Sequence, residues 1–75
     1  EYSKIITIIE KLLAAREKDL NDHMLQLISR KYAYALWKTG KSEKAVEVLD
    51  QAVVKYPEGS WKESLQELKD TILGK

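Results

Sequence analysis

The chain is 75 residues long, and its 13 basic and 12 acidic side chains leave a formal net charge of +1. The absence of cysteine excludes both a disulfide staple and a cysteine-based zinc site. The two signs of charge are mixed along the chain with no long run of either, so no basic stripe is available for nucleic acid.

A single domain of this size buries only roughly 60% of the surface its unfolded chain exposes, so its apolar core must pack well. The longest apolar stretch, Ile5 to Ala15, is interrupted by Thr7, Glu10 and Lys11. It falls short of the ~18 apolar residues that mark a membrane span. The start of the chain also lacks the basic residues and small-residue cleavage site of a signal peptide. The expectation is a soluble domain, cytoplasmic if natural or made recombinantly. Beginning at Glu1 without methionine, it reads as trimmed, excerpted or cut from a tag.

Ser3 is placed to cap a first helix over about 4–17. Ile5, Ile8, Ile9 and Leu12 recur at helical spacing, and Ile6 and Leu13 widen that stripe. The isoleucines would also suit a strand, but no partner strand exists to take its backbone hydrogen bonds. Asp19 or Asn21 can cap a second helix over about 20–39. One of its faces carries Leu20, Met24, Leu27, Lys31 and Tyr34. The adjoining face carries Leu25, Ile28, Tyr32, Ala35 and Leu36. An apolar surface this wide implies a central helix with neighbours on two sides.

Gly40 stands where a helix end favours positive φ, and Ser42 where the next helix wants a cap. The third helix covers about 43–55, with Ala45, Val48, Leu49 and Ala52 inward and Val46, Val53 and Tyr56 toward the next segment of the chain. Pro57 and Gly59 end it. Ser60, two residues and Glu63 then spell a capping box for a fourth helix over about 61–73. Trp61, Leu65, Leu68 and Ile72 form its single apolar stripe, opposite Lys62, Glu63, Gln66, Glu67, Lys69 and Asp70. A one-sided terminal helix of this kind is a cap on a stack. Gly74 closes it.

The stretch from Gln26 to Gly59 resembles one tetratricopeptide (TPR) repeat, a two-helix unit of about 34 residues. The likeness rests on Ala33 and Leu36 in the first helix, on Ala45, Leu49 and Ala52 in the second, and on the closing Pro57. It departs at Ser29 and Tyr32, where the family often has tryptophan and leucine. An internal echo extends it: Lys4 to Glu10 parallels Lys44 to Asp50, and Leu25-Gln26 parallels Leu65-Gln66, both 40 residues apart. The resemblance implies an all-α fold of four antiparallel helices in a right-handed, TPR-like stack: a helix, a TPR pair and a capping helix. Because TPR proteins bind peptides on the surface lined by first helices, it also implies a candidate surface of Leu27, Arg30, Tyr34, Trp37 and Lys38.

Catalytic constellations are weak. Thr39-Gly40-Lys41-Ser42 looks like the end of a P-loop, but Ala35 stands where the motif's first glycine belongs, and a helix precedes it instead of a strand. His23 has Asp19 and Asp22 nearby but no third metal ligand, so it reads as a solvated helix-start residue. None of Ser3, Ser29, Ser42, Ser60 and Ser64 has an evident base beside it. Glu43 with Glu47, and Glu63 with Glu67, lie on exposed faces without a cavity to raise a pKa.

These observations lead to a non-enzymatic helical scaffold that requires no cofactor, metal, nucleic acid or membrane. Disciplined cap placement, balanced charge and the lack of phenylalanine suggest an engineered, de novo protein without natural function; His23, Met24 and the isoleucine-rich helix look like natural choices. The alternative is a TPR-like interaction module holding a peptide or protein partner through Arg30, Tyr34, Trp37 and Lys38. A monomer is expected, with a dimer left open through Tyr2, Ile6 or Leu13 if the first helix is uncovered.

Overall fold

The computed structural model describes residues 1–74 and is all-helical, with no strand among them. Helix α1 spans Tyr2–Arg16, α2 Asp22–Lys38, α3 Ser42–Lys55 and α4 Lys62–Leu73. A single 3-10 turn, Glu17–Asp19, links the first two. Helix α2 contacts all three others, and α3 also packs on α4. The body measures 35 × 31 × 15 Å. An α-helix with its side chains is about 10–12 Å across, so this is a thin slab.

The core follows from the helical stripes, with one rotation. Ala33, Ala35, Leu36, Ala45, Leu49 and Leu65 are essentially inaccessible, and Ile6, Ile9, Tyr32, Ala52 and Leu68 complete the cluster. The alanines let α2 and α3 approach closely enough for the leucines to interlock. In α1 the inward face is Ile6, Ile9 and Leu13, not the expected line through Ile5 and Ile8. Ile5 is 40% exposed and Ile8 64%. The spacing of the isoleucines fits either face, and only tertiary contact decides between them. In α2, Met24 and Lys31 lie outside the core.

The helix ends also depart from expectation. Asn21 does cap α2, its Oδ1 accepting from the Met24 N–H at 2.8 Å. The three serines expected as caps do not serve. Helix α1 starts at Tyr2, which places Ser3 inside the first turn. After α2, Gly40 adopts φ +85°, the Gly40 N–H donates to Trp37 O and the Lys41 N–H to Leu36 O. This pair of bonds is the Schellman closure that a left-handed glycine permits. It makes Lys41 both the last residue of that closure and the N-cap of α3, so Ser42 is already helical. The box at Ser60 fails because α4 begins at Lys62 and the Ser60 hydroxyl lies 3.2 Å from His23 Nδ1.

Candidate functional site

The expected surface on α2 is partly assembled. Tyr34 and Trp37 meet edge to face with ring centroids 5.8 Å apart, and Lys38 Nζ lies over the Trp37 ring at 4.3 Å and the Tyr34 ring at 5.4 Å. The tyrosine and the tryptophan are half-buried, and the lysine is exposed. Tyr2 from α1 adds a third ring, 5.9 Å from Tyr34. The adjoining Tyr34 phenol raises the Tyr2 pKa above its ordinary value, by hydrogen bonding first and by charge second. Arg30 sits one turn earlier, but its Nε donates to Ser64 Oγ on α4 at 2.8 Å. Leu27 is half-buried. The three aromatic rings and the cation thus contact one another, while the guanidinium ties α2 to α4.

Two clusters were not legible in the sequence. The first is built on Gln26, the one buried polar residue among those described, at 3% exposure. Its Nε2 donates to Asp22 O at 3.1 Å, and its Oε1 accepts the Trp61 N–H at 3.3 Å. The side chain lies in the space that Gly59 leaves open: a Cβ on Gly59 would stand 2.0 Å from Gln26 Oε1. A sequence offers no signal for this, because glutamine at mid-helix reads as solvent-facing. The second cluster is His23 against Trp61, with ring centroids 5.5 Å apart. Trp61 Nε1 lies 3.1 Å from Nδ1 and 3.3 Å from Nε2 of the same imidazole. Near-equal distances to both nitrogens place the indole N–H against the face of the ring, an N–H···π contact. His23 is exposed at the start of α2, as expected, and it also packs against the residue that opens α4. The expectation that no serine has a base beside it is corrected at Ser60, whose hydroxyl lies 3.2 Å from His23 Nδ1 on that exposed surface. Among the described residues no group of three potential metal ligands occurs.

Tyr32 closes a third junction. Its hydroxyl donates to Glu10 Oε2 at 2.8 Å, and Lys44 lies 3.9 Å from the same oxygen. Burial raises the Tyr32 pKa above 10.0; the Glu10 hydrogen bond adds to this, while Lys44 opposes it. Lys69 of α4 pairs in the same manner with Asp50 of α3.

Comparison with protein-family models, curated proteins and solved structures finds no match.

At the α2–α3 turn, Thr39 Oγ1 bonds back to Ala35 O and Leu36 O, both at 3.0 Å. The stretch that mimics a P-loop comes after a helix, and its Gly40 and Lys41 N–H groups are spent on carbonyls of α2. Glu43, Glu47, Glu63 and Glu67 are exposed.

Proposed function

We propose that the chain is a non-enzymatic helical scaffold, with its four helices stacked antiparallel in a TPR-like manner. One observation carries this reading: the side chains with chemical potential are used as struts between helices. Arg30 holds Ser64, His23 holds Ser60 and Trp61, Glu10 holds Tyr32 and Lys44, and Asp50 holds Lys69. A reactive group needs a poised proton and a pocket to exclude water. A slab 15 Å thick offers little depth for one.

The alternative, a peptide held by Arg30, Tyr34, Trp37 and Lys38, draws support from the exposed Lys38 ammonium beside two aromatic rings. Ser64 takes only the Nε of Arg30, so a bound carboxylate would be met by the remaining guanidinium N–H groups. Titration with short acidic C-terminal peptides separates the two readings. With Trp61→Phe in place, Trp37 is the only indole. Unchanged Trp37 emission at about millimolar peptide, where binding energy has fallen to roughly 4 kcal/mol, supports the scaffold. Saturable change abolished by Lys38→Ala refutes it in favour of the module.

A further inference from the structure

The two ends of the molecule are finished differently. Helix α4 turns Glu63, Gln66, Glu67 and Asp70 to solvent, the polar outer face of a closed end. Helix α1 instead shows solvent an apolar seam of Ile5, Ile8, Leu12 and Ala15, spaced three, four and three. Leu12 is half-buried and the other three are exposed. That spacing is the seam of a helix that packs against another helix.

The 40-residue echo identifies what this seam corresponds to. Subtracting 40 from Val46, Asp50 and Val53 of α3 gives Ile6, Glu10 and Leu13 of α1. Among them, Val46 and Asp50 face the helix that follows α3, and Glu10 faces the helix that follows α1. Val46 lies beside Ile72 and Leu73, and Asp50 pairs with Lys69. Ile6 is buried, and Glu10 accepts from Tyr32. The remaining face of α3 is Ala45, Val48 and Ala52, and it packs on α2, with Val48 and Ala52 beside Leu25, Ser29 and Tyr32. Its counterpart on α1 is Ile5, Ile8 and Leu12. The seam is thus the face on which α3 carries a paired helix.

Charge selects the occupant. Lys4 and Lys11 each precede a seam residue by one position and line one flank, exposed and without an ion pair among the described residues. The other flank is buried Ile9 and then Arg16, which is paired with Asp19 at 3.8 Å. A second α1 would bring lysine against lysine in one direction, and in the other lysine against Ile9 or an Arg16 already paired with Asp19, so neither offers Lys4 and Lys11 an acidic partner. We propose that the α1 seam docks an amphipathic helix of another protein, one with acidic residues along its flank. Because Ile5 and Leu12 stand where α3 has Ala45 and Ala52, that helix presents small residues to them. This goes beyond the scaffold reading and rests on exposure, echo and charge alone.

The test uses a stapled 16-residue helical peptide with an alanine–leucine seam and glutamate flanks, and a control with lysine flanks. Binding is followed by amide chemical shifts of the full chain. Support is a saturable response centred on Ile5, Ile8 and Leu12, at least roughly ten-fold weaker with lysine flanks and lost in Ile8→Glu. Ile8 is exposed, so that variant keeps its fold, which the unchanged spectrum elsewhere verifies. Three results overturn the proposal: no seam response to the acidic peptide, equal response to both peptides, or occupation of the seam by something else. The last is read as a dimer by light scattering or as binding only to anionic phosphatidylserine vesicles, either one abolished by Ile8→Glu.

Discussion

Replacing Gly59 with alanine tests the junction between α2 and the start of α4. The added Cβ would lie 2.0 Å from Gln26 Oε1 and 2.5 Å from Cδ, so the amide must leave its site. Leaving it breaks two hydrogen bonds, to Asp22 O and from the Trp61 N–H. At about 0.5–1.5 kcal/mol each, that loss is roughly 1–3 kcal/mol. Alanine returns about 0.4–1 kcal/mol by restricting the unfolded chain. The expected net cost is about 1–2 kcal/mol, which in a domain of this size lowers Tm by roughly 5–15 °C. Urea and thermal unfolding followed by circular dichroism measure it. Gln26→Ala breaks the same two bonds and also opens the space the Cβ needs. The double variant should therefore be more stable than the sum of the single effects predicts, by about 1 kcal/mol. Additivity within ~0.5 kcal/mol, or a Gly59→Ala protein as stable as the parent, would refute the reasoning.

Three further outcomes are expected. Tyr32→Phe should cost about 1 kcal/mol near neutral pH, because Glu10 loses its donor but keeps Lys44 and water. A phenol whose folded pKa is raised contributes its stability below the unfolded value of 10.0 and loses it as pH rises toward the folded value. The parent should therefore weaken more steeply above pH 10.0 than Tyr32→Phe, as read by urea midpoints at each pH. Ala45→Leu forces three extra carbons into a fully buried site between close helices, and denaturation should show a loss of about 1–3 kcal/mol. With Trp37→Phe in place, His23→Ala should move Trp61 emission to longer wavelength and cost about 0.5–1.5 kcal/mol, since the indole loses the ring that covers it. An unmoved spectrum would remove the imidazole from that junction.

What the sequence disclosed and what it hid divide along a physical line. Helical periodicity and the breaks at Gly40 and Pro57 report on the backbone within a few residues, and the all-helical fold follows from them. Which face of α1 turns inward is a contest between two equally apolar stripes, settled by contact with α2. The serine caps failed for a related reason. Ser60 has an oxygen that both an α4 amide and His23 can use, and the local motif carries no information about a residue 37 positions away. The same holds for the α2 surface. Its aromatic residues touch along one helix, but the spacing that groups Arg30 with Tyr34 is blind to Ser64 on α4. Gln26 was invisible as a site because its partner is the space left by a missing side chain.

Lys41 closes one helix and opens the next, so the bend between α2 and α3 has no spare length. The two helices cannot tilt apart there without surrendering the carbonyl bonds that end the first of them. A chain reopened at Glu58 should still assemble its middle, whereas one reopened at Lys41 should lose the part around which the others gather.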